Sequence, residues 1–417
     1  MAKRKVIKRK KSNDKTLLMV GLLSVLGVLV AIFVFPNQFK SKQTDQGQAA
    51  DSERSVPDEI LVKFKDGLGT AEQARILSAQ NLTLKEELPD IDVLVLKVNS
   101  HARDAVIAAL NRNPNVEFAE VNGIVQAQFT PNDYYFNTGT YQDTLRAIHA
   151  PEAWDITQGS PTVKIAILDT GINTNHEDLA GKVVLTYGTA GANDVAGHGT
   201  HVAGDAAAVT NNTVGVAGIG FNSSLFNVKV MSDFGTGTID SIAKGISWAA
   251  NNGANVINMS FGTGSASRTL ERAVNQAWNK GAVLVAAAGN QGCECPFFPA
   301  AYTNVIAVTG KDYGNYRYGN YGDWVDVMAP VTTFSTMVDG SYSSMSGTSM
   351  STPQVSGLAG LLFAQVKGTA TSGGKKGNTS LNAKVRSCIE NGAVDLGITG
   401  TGHGLINAYN SVVLCSQ

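Results

Sequence analysis

The chain has 417 residues, 43% of them hydrophobic and 16% charged, with a formal net charge of −1. That length supports one large core and a smaller second one, and the near-neutral total excludes a chain that is basic throughout. The balance hides an asymmetry. Of 33 basic and 34 acidic residues, Lys3, Arg4, Lys5, Lys8, Arg9, Lys10, Lys11, Lys15 and Asp14 lie in residues 1–16, which leaves 25 against 33, or −8, for the rest.

A basic run of this kind reads either as a nucleic-acid patch or as the cytoplasmic flank of a membrane segment. Residues 17–35 favour the second reading, so no nucleic-acid partner is expected. They carry no charge and are interrupted only by Gly21, Ser24 and Gly27. Nineteen helical residues span about 28 Å, close to a hydrocarbon core. The basic flank holds the N-terminus inside, so everything beyond Phe35 is exported. Pro36-Asn37-Gln38-Phe39 offers no small-x-small cleavage site, so an uncleaved anchor is expected over a signal peptide.

Residues 36–55 are polar and read as a flexible linker. From residue 56 to 128 the pattern is that of a small α+β domain. Strands are expected at 59–64, 93–98 and 116–121, and helices at 71–80 and 102–111.

Residues 129–417 form the large domain. Strands are expected at 163–168, 225–230, 255–259, 282–287 and 305–308. Helices are expected at 198–210, 239–252, 266–280, 348–366, 381–390 and 404–414. Gly253 and Gly281 stand where C-terminal glycine caps belong. Alternation of this kind implies an α/β fold, a parallel sheet with helices on both faces. Residues 368–379 are Gly/Ser/Lys-rich and read as a surface loop.

Three motifs carry chemistry. Ser346-Gly347-Thr348-Ser349-Met350 places a hydroxyl in the first turn of a helix, where free N–H groups favour a developing oxyanion. The expected strand 163–168 runs straight into Asp169-Thr170-Gly171, placing a carboxylate where open α/β sheets bind ligands. Gly197-His198-Gly199-Thr200-His201 puts an imidazole at a glycine-flanked helix start. A serine hydroxyl needs such a base, held in one tautomer by a carboxylate. A metal pair at His198 and His201 lacks the Glu of a His-Glu-x-x-His site, so His201, like His176, is read as structural.

The order Asp169, His198, Ser349, with these flanking sequences, resembles the subtilisin family of serine proteases (the subtilases), its thermitase-like members most. The resemblance extends from about residue 130 to 410. It implies a self-maturing serine endopeptidase that acts on polypeptides through an acyl-enzyme, with residues 56–128 as an inhibitory propeptide and a mature monomer. The precursor would be held at the membrane by residues 17–35, with the catalytic domain outside. The mature form would be extracellular or at the cell surface, released by a cut between about residues 125 and 130.

The resemblance also assigns further residues. Asn290, in Ala286-Ala287-Ala288-Gly289-Asn290, would join the Ser349 N–H in binding the oxyanion. Gly235, Thr236, Gly237, Ser260, Phe261 and Gly262 would flank the substrate backbone as added strands. Phe297 would fill part of the primary specificity pocket and favour small or medium side chains. Structural calcium would be held by Asp133, Asp178, Asn212 and the carbonyls of Thr210, Val214 and Val216. A second, aspartate-rich calcium loop of the family is shortened here to residues 188–196, leaving only Asp194, so that site is not expected. After the nucleophile, Ser351-Thr352-Pro353-Gln354-Val355-Ser356-Gly357 departs from the usual Ala-Thr-Pro-His-Val-Ala-Gly.

Four cysteines remain. Cys388 and Cys415 lie on the last two expected helices, and export permits a disulfide between them. Cys293-Glu294-Cys295 is compatible with a small ring, free thiols or a bound metal.

Overall fold

The computed structural model describes residues 55–125, 129–188, 192–314, 316–370 and 380–416. The expected basic segment, the apolar span 17–35, residues 36–54 of the expected linker, residues 126–128 of the expected cleavage stretch and residues 371–379 lie outside them, and the last expected linker residue, Ser55, opens a strand. Among the described residues no helix is long and apolar enough to cross a membrane. The chain divides into two compact units, Met1–Gln126 and Ala127–Gln417.

The first unit contains β1 (Ser55–Phe64), α1 (Thr70–Ala79), β2 (Thr83–Leu88), β3 (Val93–Lys97), α2 (Arg103–Asn111) and β4 (Val116–Gly123). The four strands form an antiparallel sheet in the order β2-β3-β1-β4, a split β-α-β arrangement. Strand β2 is not anticipated by the hydrophobic pattern. Five of its six residues are exposed, so it shows no apolar alternation. What holds it is the ladder to β3 and Lys85, whose Nζ donates to Glu59 Oε1 at 2.5 Å. Ile60, Val62, Leu96 and Leu110 form the centre of this unit's core.

The second unit opens with three short helices, α3 (Tyr134–Asn137), α4 (Asp143–Ala147) and α5 (Ala150–Ile156). There follow β5 (Lys164–Asp169), β6 (Val183–Tyr187), α6 (His198–Ala207), β7 (Ser224–Lys229), α7 (Ile239–Asn251), β8 (Val256–Met259), α8 (Arg268–Asn279) and β9 (Val283–Ala287). The remainder is β10 (Ile306–Lys311), β11 (Arg317–Tyr318), β12 (Val327–Pro330), β13 (Thr332–Thr336), β14 (Tyr342–Ser346), α9 (Thr348–Ala370), α10 (Leu381–Gly392) and α11 (Ala408–Ser416).

The main sheet runs β11-β10-β9-β8-β5-β7-β6, with β12 also paired to β10 and β11 its one antiparallel member. Strand β5 explains why both faces are covered. Ile165 and Ile167 enter the core shared with α6, α9, α10 and α11, whereas Ala166 and Leu168 enter the core shared with α7 and α8. Successive side chains point to opposite faces, so an all-apolar strand needs helices on both.

The chain passes from β5 to β6 and β7 on one side, then to β8, β9 and β10 on the other. That reversal opens a crevice at the carboxyl ends of β5 and β8. Several boundaries differ from the sequence expectation. Helix α6 stops at Ala207, because Ala208 leaves the helical region at φ −51°, ψ 156°. Helix α9 runs on to Ala370, into the stretch expected to be a loop, and α11 starts at Ala408. Strands β6 and β11 to β14 were not expected. The middle of β6 is exposed, β11 and β12 are very short, and β13 and β14 form a separate hairpin. The C-terminal helices α10 and α11 are joined by a Cys388–Cys415 disulfide, and Cys293 and Cys295 are joined to each other.

Candidate active site

Asp169 is the last residue of β5 and is fully buried. Its Oδ1 accepts hydrogen bonds from His198 Nδ1 at 2.8 Å and from the Thr170 N–H at 2.7 Å. His198 opens α6 behind Gly197, whose φ of 88° is left-handed. The approach of helix to strand depends on Gly199. A Cβ there would lie 2.2 Å from the Gly171 carbonyl oxygen and 3.0 Å from Asp169 Cβ. The His198 pKa is raised above its usual 6.5, chiefly by the Asp169 charge, with burial acting in the opposite direction.

Ser349 is the second residue of α9. Its hydroxyl donates to the Ser260 carbonyl at 2.8 Å, and among the described residues it makes no hydrogen bond with His198. Pro353 lies inside the same helix. It has no N–H for the carbonyl four residues earlier, that of Ser349. Ser260 Oγ supplies the missing donor, at 2.8 Å. The Ser260 hydroxyl in turn accepts from Asn258 Nδ2 at 3.0 Å, and Asn258 Oδ1 accepts from Ser356 Oγ at 2.8 Å.

Asn290 follows β9. Its Oδ1 accepts from both the N–H and the hydroxyl of Thr348, each at 2.9 Å. Both bonds go to the oxygen, which leaves Nδ2 as a donor beside the nucleophile's loop, 3.3 Å from where a Cβ on Gly347 would stand.

One cavity of about 340 Å³ brings His198, Ser349 and Asn290 together with Gly235, Ser260, Phe261, Gly262 and Phe297. Asp169 sits behind His198 and does not line it. Thr236 and Gly237 do not line it either. Thr236 closes a turn with Ser232, whose N–H donates to the Thr236 carbonyl at 2.7 Å. The sequence did not single out Met231, Gln291, Thr170 or Ala287, which do line the cavity. Of these, Thr170 adjoins Asp169, Ala287 lies two residues before Gly289 and Gln291 follows Asn290, while Met231 carried no sequence signal. A larger depression of about 1270 Å³ between α7 and α8 holds none of these groups.

Phe297 forms one wall. Thr263 and Phe298 exchange two backbone hydrogen bonds of 2.8 Å, which sets the neighbouring Phe297 ring against Gly262. A Cβ on Gly262 would lie 2.4 Å from that ring, and one on Gly289 would lie 3.1 Å from it.

Asp133, Asp178 and Asn212 of the expected calcium site also come together. Asp133 and Asp178 are both fully buried. Both Asp133 oxygens accept from the Asn211 N–H, at 2.8 and 3.0 Å. Asp178 accepts from Asn212 Nδ2 at 2.7 Å and from the Val216 N–H at 2.6 Å. Burial pushes the Asp178 carboxyl up to about 6, and the Asp133 charge adds to the shift. Neither carboxylate has an ion-pair partner among the described residues. Left-handed φ values at Asn211, Thr213 and Gly215 fold residues 210–216 tightly around them. Two desolvated carboxylates, an amide and main-chain carbonyls are the hard oxygen donors that calcium takes, so the residues fit that ion. The Asn212 amide presents its nitrogen to Asp178, and its oxygen would have to face a cation. No group of three or more His, Cys, Asp or Glu side chains placed to hold a metal ion occurs among the described residues.

His201 and His176 are tied into the fold. Their Nε2 atoms lie 3.1 Å from the Ser343 and Ser341 carbonyls, respectively. Gln354, where histidine is usual, donates to the Pro330 and Met350 carbonyls at 2.7 and 3.0 Å.

The Subtilase family profile (Peptidase_S8) matches residues 160–405, and the Fervidolysin N-terminal prodomain profile matches residues 41–122. The "Thermophilic serine proteinase" of Bacillus sp. (strain AK1) is 43% identical over 371 residues, covering 86% of this chain and 88% of that protein. Thermitase of Thermoactinomyces vulgaris is 45% identical over 293 residues, covering 68% of this chain and 99% of its own length. Subtilisin Savinase of Lederbergia lenta is 42% identical over 271 residues, covering 63% of this chain and 96% of its own.

Proposed function

Because this chain belongs to the subtilase family and is a serine endopeptidase with an N-terminal prodomain, we propose that it matures itself and cleaves polypeptides through an acyl-enzyme on Ser349. The observation that carries this reading is the 2.8 Å Asp169–His198 hydrogen bond opening onto one cavity with Ser349 and Asn290.

His198 is the general base. Asp169 keeps the proton on Nδ1, so that Nε2 is free to accept the Ser349 hydroxyl proton. The Ser349 hydroxyl must first rotate away from the Ser260 carbonyl. Attack on the scissile carbonyl creates an oxyanion, which the Asn290 Nδ2 and the Ser349 N–H stabilise. His198 then returns the proton to the leaving amine, and water repeats the sequence to release the acyl group. The substrate backbone lies along Gly235 and residues 260–262, with Phe297 limiting the pocket for the residue before the cut bond.

The prodomain inhibits the catalytic unit until a cut between about residues 125 and 130. The precursor is anchored through residues 17–35, and the released enzyme acts outside the cell as a monomer. Calcium held by Asp133, Asp178, Asn212 and the carbonyls of Thr210, Val214 and Val216 stabilises the catalytic unit. Mass spectrometry of the purified chain with and without Ser349→Ala tests this reading. The wild type should appear cut near residue 128 and the variant uncut. A wild-type N-terminus upstream of residue 56, or a variant that still matures, contradicts it.

A further inference from the structure

Asp194 is the acidic residue left in the shortened loop that precedes α6, and it is turned inward with 6% exposure. Its Oδ1 accepts from Thr170 Oγ1 at 2.8 Å and from the Gly197 N–H at 2.9 Å. Its Oδ2 accepts from the Thr200 N–H at 2.9 Å and from Thr200 Oγ1 at 2.7 Å. Thr170 follows Asp169 at the end of β5, and Gly197 and Thr200 bracket His198 in the first turn of α6. One carboxylate therefore joins the two elements that carry the base and its orienting group. Thr170 Oγ1 closes the clasp by accepting from the Gly199 N–H at 3.0 Å.

We propose that Asp194 is a positioning residue of the hydrolytic machinery, fixing the first turn of α6, and with it His198, against the strand end that carries Asp169. The proposal rests on the triad reading above. Two physical effects act together. The carboxylate satisfies N–H groups that have no partner within the helix, at the end where the helix dipole favours a negative charge. Its charge also acts on the imidazolium that forms during catalysis. The carboxylates that act on His198 are Asp169 from β5, Asp194 from the preceding loop and Asp205 from α6 itself, and all three favour its protonated form. Lys229, at the end of β7, donates from Nζ to the Thr170 and Asn193 carbonyls and to Asp233 Oδ1.

Asp194→Asn keeps the shape but turns an NH₂ toward donors that need an acceptor. The full-length protein carrying it should show kcat lowered by about tenfold to a hundredfold with KM little changed, the scale that small misplacements of catalytic groups produce. The acid limb of its kcat/KM profile should also move down by several tenths of a pH unit. A purely structural residue would lower the melting temperature and leave that limb in place. A folded Asp194→Asn protein with wild-type kcat and limb overturns the proposal. Should it fail to fold, Thr170→Val, which removes one of the four donors, decides. A smaller loss in kcat supports the proposal, and wild-type kcat refutes it. His198→Ala measured alongside separates the two readings. If it abolishes hydrolysis while Asp194→Asn does not alter it, the triad stands and the clasp fails.

Discussion

Ser260 and Ser349 hold each other by two reciprocal hydrogen bonds. Ser260 Oγ donates to the Ser349 carbonyl and Ser349 Oγ donates to the Ser260 carbonyl, both at 2.8 Å. The first bond exists because Pro353 leaves that carbonyl without a helical donor. The second engages the nucleophile on a carbonyl of the segment expected to bind the substrate backbone. On the proposed mechanism, substrate binding and release of the hydroxyl toward His198 would therefore be linked at that carbonyl.

This arrangement predicts a compensating pair. Ser260→Ala strands a partly buried carbonyl, at a cost of about 1–3 kcal/mol, and should lower both the melting temperature and kcat. Adding Pro353→Ala supplies an N–H for the same carbonyl and should recover part of the lost stability. Thermal melts of the single and double variants check this. Additive losses would contradict the account.

The proposed triad should act as a unit. Ser349→Ala, His198→Ala and Asp169→Asn should each cut hydrolysis severely, and combined variants should lose little more than the worst single one. For Asn290→Ala the loss known for the corresponding amide of subtilisin, about 10²–10³ in kcat, is carried over as the expectation, with KM nearly unchanged. Steady-state kinetics on a chromogenic peptide decide. Wild-type turnover in the serine variant would end the proposed mechanism.

The pH dependence has a defined sign. As the proposed base, His198 would act only when neutral, and the Asp169 charge raises its pKa above 6.5. Activity should therefore be complete on the alkaline side and fall as pH drops through that raised value. A kcat/KM profile whose acid limb lies at or below pH 6.5 would mean that the Asp169 bond does not govern the base.

Much of the candidate site was legible because each proposed catalytic residue sits in a short local motif at the end of one element. The apolar run into Asp169 and the glycines around His198 are signals of that kind. Contacts made across the chain left no such trace. The Ser260–Ser349 exchange joins residues 89 positions apart, through a proline whose effect appears only once its helix is built. Strand β2 was missed because its polar residues are held by pairing and not by burial. Asp194 looked like the remnant of a calcium loop, since only the fold brings Thr170 and Thr200 to its two oxygens. Thr236 and Gly237 match a substrate-binding pattern but do not line the cavity, and the Thr236 carbonyl accepts from the Ser232 N–H.

Calcium should contribute stability by mass action, because only the folded 210–216 loop brings Asp133, Asp178 and Asn212 together. Chelation should lower the melting temperature, since an ion at about 100 times its Kd adds about 2.7 kcal/mol. Asp178→Ala should remove most of the difference between melts with and without chelator. Identical melts of the wild type in both conditions would exclude a stabilising site.

Phe297 sets the last expectation, on specificity. Its ring faces Gly262 and Gly289 and forms a wall of the cavity that holds Ser349. That volume is lost to a large substrate side chain, so small or medium residues before the cut bond should be preferred. Phe297→Gly should widen the preference toward Phe and Tyr. Pocket contacts of this kind discriminate by about 1–3 kcal/mol, so the change should be graded, roughly tenfold to a few hundredfold in relative kcat/KM. A peptide-library profile decides it. A wild type that already favours Phe or Tyr would show that the ring does not restrict the pocket. An unchanged profile in the glycine variant would place the limit in another wall, at Met231 or Gln291.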